Sequence, residues 1–232
     1  MTTRRPASAP PCVLLTGFEP FGGETINPSW EAVRALRGRR IGGHRLEVAR
    51  LPTAFDDALA ALDAALASTR PRLVIAVGQA GGRDRLSLER IAINVDDARI
   101  PDNRGRQPID QPVITGAPAA YFSTLPIKAA LAALTDAGIP AAISQSAGTY
   151  VCNHVFYGLM HALAQRRSVR GGFVHIPFLP AQAAQHGSAP SMALDTVIAA
   201  LRLIIEVSLR TDGDARIAAG ATHLDRPREG LN

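Results

Sequence analysis

The chain has 232 residues, 47% of them hydrophobic, with a formal net charge of +5 and a pI near 10.0. That length suits one domain or a large single α/β unit with its own core, and no apolar run is long enough to span a bilayer, so a membrane partner is excluded. The basic balance comes from 24 Arg and one Lys (Lys128), scattered except at Arg37-Arg39-Arg40 and Arg166-Arg167-Arg170, with no aromatic stripe beside them, so no nucleic acid is expected.

Residues 1–11 carry Arg, Pro and Ser with no apolar h-region, which reads as a flexible N-terminal segment and not as a secretory signal. Cys12 begins an apolar strand over 13–16 and reads as core. The loop Phe18-Glu19-Pro20-Phe21-Gly22-Gly23 follows, with two large aromatics. Asn27 as cap and Pro28 at the first helical position start a helix striped by Trp30, Val33 and Leu36. Leu46, Val48 and Leu51 mark a strand. Thr53-Ala54-Phe55-Asp56 is a capping-box pattern opening a helix striped by Phe55, Leu59, Leu62 and Leu66. Leu73 to Val77 is a buried strand, followed by the glycine loop Gly78–Gly82 and a second strand-like segment from Leu86 to Ile93. Residues 96–112 are rich in Asp, Arg, Asn, Pro and Gly, a long loop of the kind that is often functional. A helix over 125–137 ends at Gly138, and a short strand over 141–144 leads into the helix that carries Cys152. A Gly- and Pro-bounded strand ends in His175, and a last amphipathic helix carries Leu194, Val197, Ile198, Leu201, Ile204 and Ile205. Residues 211–232 read as a polar, mobile tail. Strand signals alternating with helix signals predict an α/β fold over residues 12–210, a single-domain three-layer α/β/α sandwich with a mostly parallel (mixed), twisted sheet.

Cys152 falls at or just before the first turn of its helix, where unpaired amides and the positive end of the helix dipole favour a thiolate. A free cysteine is also an ordinary core residue, so the reading depends on partners. His175, at the carboxyl end of a strand, is placed to act as base. His154 and His161 lie on the cysteine's own helix at spacings that do not face it. Glu89, inside a strand-like segment, is either an orienting carboxylate or an ion-pair partner of Arg85 or Arg90. The loop with Phe18 and Phe21 is either a lid on the core or a pair of walls for a flat ring. With only two cysteines the chain suits a reducing compartment, and a cytoplasmic location is expected.

Several blocks in order resemble the pyroglutamyl peptidases (pyrrolidone-carboxylate peptidases) of cysteine peptidase family C15. They are Leu14-Leu15-Thr16-Gly17-Phe18-Glu19-Pro20-Phe21-Gly22-Gly23, Asn27-Pro28-Ser29-Trp30, Gly78-Gln79-Ala80-Gly81-Gly82-Arg83, Glu89-Arg90-Ile91-Ala92-Ile93-Asn94, residues 97–103, residues 146–154 and His175-Ile176-Pro177-Phe178-Leu179-Pro180. The resemblance implies a cysteine-type omega-peptidase that removes N-terminal pyroglutamate from peptides and proteins. It implies a triad of Glu89, Cys152 and His175, a site-stabilising Arg99 and no cofactor. It also implies a homo-oligomer, a tetramer. Arg99 has a second reading, a pair with Asp96, Asp97 or Asp102 that pins its loop. Phe18 and Phe21 become candidate walls for the lactam, with Asn27, Gln79 and Tyr150 as further pocket candidates. Asn27 alone reads only as a helix cap.

Two other classes stand beside this reading. A nucleoside- or nucleotide-binding α/β protein would use the Gly17-Phe18 or Gly78–Gly82 loop, yet neither carries G-x-G-x-x-G or a Walker Lys. A catalytically inactive relative would lack a triad position, and none is missing. The six His show no local metal-ligand spacing, so no metal site is expected.

Overall fold

The computed structural model describes residues 11–166 and 168–220. The elements are β1 (Cys12–Phe18), α1 (Pro28–Ala35), β2 (Arg40–Ile41), β3 (His44–Leu51), α2 (Phe55–Thr69), β4 (Leu73–Gln79), β5 (Leu86–Glu89), β6 (Ile91–Ile93), β7 (Ala120–Phe122), α3 (Ile127–Asp136), β8 (Ala141–Ser144), α4 (Val151–Leu163), β9 (Arg170–Ile176), α5 (Pro180–Ala183) and α6 (Leu194–Arg210). Seven strands form one sheet in the order β2-β3-β1-β4-β9-β5-β8, and β6 and β7 form a separate antiparallel pair. β3, β1, β4 and β9 are parallel neighbours. β2 is antiparallel to β3, and β5 is antiparallel to β9 but parallel to β8. The sheet is mixed and mostly parallel, as the sequence predicts.

Side chains alternate across β1, so each face has its own core. Val13 and Leu15 pack with Val33 of α1, Leu134 of α3 and Leu201 of α6 on one face. Leu14 packs with Leu62 of α2 and with Phe156 and Leu159 of α4 on the other. Helices therefore cover both faces, which gives the three layers.

Asn27 caps α1 as predicted: its Oδ1 accepts from the Ser29 amide at 3.0 Å. The capping box at Thr53 does not form. Ala54 is the cap of α2, Thr53 Oγ1 donates to Glu19 O at 2.8 Å, and the free Phe55 amide is taken by Asp102 Oδ2 at 2.9 Å. A carboxylate from a distant loop outcompetes the local hydroxyl. The segment from Leu86 to Ile93 is two strands in two sheets, divided at Arg90. The short β2, β7 and α5 have no counterpart in the sequence reading.

Of the segment read as a tail, residues 211–220 lie against the domain. The first turn of α3 has no side-chain cap of its own, and Asp214 accepts from the Lys128 and Ala129 amides at 3.0 and 2.9 Å. Arg90 donates to Ala219 O at 3.0 Å, and Gln145 to Gly220 O at 2.9 Å. Residues 1–10 and 221–232 lie outside the described residues. Among the described residues no helix is long and apolar enough to cross a membrane.

Candidate active site

Cys152 is the second residue of α4, whose N-cap, Tyr150, makes no side-chain capping bond. The first-turn amides are therefore left without a side-chain acceptor. The turn is fixed from the side by Asn153, which is fully buried and bonds β6 twice: Nδ2 donates to Ile93 O at 2.9 Å, and Oδ1 accepts from Ile93 N at 3.0 Å. Cys152 Sγ sits directly over Gly78 of β4. A Cβ added at Gly78 would come within 2.9 Å of that sulfur and 2.7 Å of Phe173 Cζ, so only glycine leaves room for the thiol. Gly78 is in register with His175 of β9, which brings the sulfur to the strand position beside the imidazole.

His175, Phe173 and Glu89 face the α4 side of the sheet. β5 runs back between β9 and β8 and sets Glu89 opposite Phe173, one diagonal from His175. His175 Nδ1 lies 2.8 Å from Glu89 Oε1, and both residues are buried. With a carboxylate on Nδ1, that nitrogen carries the proton and Nε2 is left to accept one. The same Glu89 oxygen accepts from Arg83 Nη1 at 2.8 Å. Glu89 thus contacts the imidazole and forms an ion pair through the same oxygen, and its ion-pair partner is Arg83. Arg85 pairs with Asp84 instead, and Arg90 reaches Ala219 O.

Burial disfavours the charged carboxylate of Glu89, but hydrogen bonds outweigh burial and hold it below the usual carboxylate range. The main donor is His175; Ser144 and Arg83 add to it. The hydroxyl of Ser144 has one proton, and its well-formed bond is to Ser146 O at 3.0 Å, so we credit His175 and Arg83. Burial pushes the Cys152 thiol up to about 12, with the Glu89 charge adding and Arg83 opposing. The sequence favours a thiolate at this helix terminus; burial works against the charged form. The reason is one of scale. A helix terminus contributes about 0.3–1 kcal/mol at exposed positions, whereas burying an unpaired thiolate costs several.

The cleft beside the sulfur is lined by Phe18, Phe21, Asn27, Thr53, Gln79, Tyr150, Val151 and Cys152. All five pocket candidates of the sequence therefore share one cavity with Cys152. Phe18 is the last residue of β1, only 2% exposed, and packs on Phe173 at 6.3 Å between ring centroids. Phe21 is on the loop, half-buried, with Tyr150 6.1 Å away. The Tyr150 hydroxyl donates to Pro101 O at 3.1 Å, which ties the long 96–112 loop to the cleft. Asn27 is committed to its own turn and to Glu19 O, so it contributes a fixed wall.

A family model described as pyroglutamyl peptidase matches residues 12–211. A pyrrolidone-carboxylate peptidase of Klebsiella pneumoniae is 61% identical over 211 residues, 91% of this chain and 99% of that one. Pyrrolidone-carboxylate peptidase 1 of Ralstonia nicotianae is 60% identical over 214 residues, 92% of this chain and 100% of that one. The crystal structure of pyroglutamyl peptidase I from Bacillus amyloliquefaciens superposes with a TM-score of 0.88 at 46% identity, covering 90% of this chain and 100% of that one. The chain belongs to the pyroglutamyl peptidase family. Membership makes it a hydrolase of the cysteine-peptidase type, the class read from Cys152 and its partners.

Other polar groups of this family member are committed elsewhere. His154 Nδ1 lies 2.8 Å from Asp96 Oδ2 in a separate buried pair, with the Phe55 ring edge-on to the imidazole. His161 bonds the Tyr121 hydroxyl at 2.9 Å. Arg99 is exposed, and among the described residues it forms no ion pair with Asp96, Asp97 or Asp102. Asp102 is occupied by the amides of Phe55, Arg104 and Arg106. Sequence reasoning missed Arg83, Thr53 and Val151 as site residues. Arg83 ends the quoted block Gly78–Arg83, but nothing in its spacing from Glu89 marks a contact across the β4–β5 turn.

Proposed function

We propose that the chain is a cysteine peptidase that removes an N-terminal pyroglutamyl (5-oxoprolyl) residue from peptides and proteins. The observation that carries this is the composition of the cleft: no lining residue bears a carboxylate, ammonium or guanidinium, and three aromatic residues, Phe18, Phe21 and Tyr150, line it. A free α-amine entering it would lose its hydration with no counter-charge, at a cost of roughly several kcal/mol. A neutral, flat lactam suffers no such loss.

In the proposed reaction the Cys152 sulfur attacks the pyroglutamyl carbonyl carbon while its proton passes to His175 Nε2. Glu89 holds Nδ1–H and stabilises the imidazolium. The developing oxyanion is taken by first-turn amides of α4, each worth about 3 kcal/mol in comparable sites. Arg99 is a further site-stabilising candidate from its loop. The C–N bond then breaks, and the departing amine takes the proton from His175. Water, deprotonated by His175, attacks the thioester and frees pyroglutamate and the thiol. We also propose a cytoplasmic homo-oligomer, a tetramer. Two free cysteines suit a reducing compartment, and exposed Ile109 and Phe122 offer apolar surface for a second copy.

The test is a panel of fluorogenic amides. Rapid release from the pyroglutamyl amide, with the prolyl and glutaminyl amides turned over at least about 100-fold more slowly, is expected from the uncharged slot. Equal turnover of the prolyl amide would refute it.

A further inference from the structure

The catalytic carboxylate candidate Glu89 is fully buried, yet it is not a simple two-residue pair with His175. Its Oε1 receives Nδ1–H of His175 and Nη1–H of Arg83, each at 2.8 Å. Its Oε2 has no hydrogen-bond partner among the described residues. A buried carboxylate with one neutral donor would tend to take up a proton, whereas a fixed cation keeps it charged. Arg83 also reaches a third element: Nη2 donates to Ser146 O at 3.3 Å, in the loop that leads into the cysteine helix. Its own loop is clamped, because Gly81 passes under Phe178 so closely that an added Cβ would fall 2.2 Å from the ring. The guanidinium therefore spans the β4–β5 turn, the carboxylate and the nucleophile loop. The groups facing Glu89 are His175 from β9, Ser144 from β8, Arg83 from its turn and, by charge, Cys152 from α4. Ser144 is neutral and donates to the Ser146 carbonyl, so Arg83 is the one permanent charge among them.

We propose that Arg83 is a positioning residue of the reaction: it holds Glu89 as an ionised, oriented acceptor for His175 and fixes the loop before Cys152. This rests on the Glu89–His175–Cys152 reading above. Without the guanidinium, Glu89 takes up a proton at higher pH, and while ionised it holds the imidazolium more firmly. Both changes move the acid limb of kcat/KM to higher pH. Lysine restores the charge but not the fork to Ser146.

The experiment is a pH profile of kcat and KM for a pyroglutamyl amide with wild type, Arg83→Gln, Arg83→Lys, Glu89→Gln and the Glu89→Gln, Arg83→Gln double variant. Arg83 acts one contact away from the imidazole, so its loss is expected to lower kcat by about 10- to 100-fold, less than loss of the orienting carboxylate, with KM nearly unchanged. The acid limb of Arg83→Gln should shift upward, Arg83→Lys should return it, and the double variant should be no slower than Glu89→Gln alone. A folded Arg83→Gln with the wild-type limb and kcat overturns the proposal. So does a uniform loss at every pH that lysine does not relieve, which is the signature of a merely structural residue. Should Arg83→Gln fail to fold, Arg83→Lys and a Glu89→Gln, Arg83→Lys double variant decide: a loss of kcat that vanishes in the Glu89→Gln background supports the role, and wild-type kcat or the same loss in both backgrounds overturns it. If Glu89→Gln itself leaves kcat intact, the triad reading fails; if only the Arg83 variants do, this inference alone fails.

Discussion

His175→Ala is expected to lower kcat/KM for a pyroglutamyl amide by about four to six orders of magnitude, and Cys152→Ser by as much. The two losses should be alike because neither residue works alone. Burial raises the thiol's pKa, so without an imidazole beside it attack needs a proton removed with no acceptor. Serine in place of Cys152 keeps the shape over Gly78 but presents a hydroxyl that is far harder to deprotonate. Glu89→Gln should lose less, roughly two to four orders, since an amide can still position the ring but stabilises no imidazolium. Steady-state kinetics with circular dichroism as the check on folding gives the comparison. A folded His175→Ala with near-normal activity, alongside an inactive His154→Ala, would show that the base is the other imidazole, the one paired with Asp96.

Phe21→Ala is expected to raise KM with kcat little changed, lowering kcat/KM by about 1–3 kcal/mol, or roughly five- to 150-fold. An apolar wall touches the lactam equally in the ground and transition states, so its loss removes uniform binding. Phe21 is the informative position because it is on the loop and half-buried. Phe18 is the end of a core strand against Phe173, and Phe18→Ala would cost about 3–5 kcal/mol of folding stability before any effect on binding is read. Wild-type KM in Phe21→Ala would mean that the ring is gripped from the Tyr150 and Thr53 side.

What the sequence disclosed and what it withheld divide along the distance over which each feature is determined. Asn27 as cap, Pro28 at the first turn, Cys152 in the first turn of α4 and His175 at the end of β9 are local patterns within a few residues, and the structure has each in place. The Arg83–Glu89 contact depends on how β5 turns back against β9, and periodicity carries no trace of that reversal. The α2 cap shows the same limit: Thr53 has the right local pattern, yet Asp102, 47 residues away, takes the amide. Tertiary placement also adds a burial effect that opposes the thiolate, and burial is invisible in a helix-start pattern. For Arg99 the sequence leaves an ion pair and the site both open; the structure has it exposed on the loop itself, between Asp97 and Pro101, whose carbonyls Thr149 and Tyr150 bond.

The most direct measurement is rapid quenching of wild-type protein during turnover of a pyroglutamyl ester or amide, followed by peptide mapping by mass. A pyroglutamyl thioester is expected on the peptide that carries Cys152, absent from the peptide with Cys12, lost on standing in water and absent in Cys152→Ser. Steady turnover with an ester-competent substrate and no acyl group on Cys152, or the acyl group on Cys12, would contradict it.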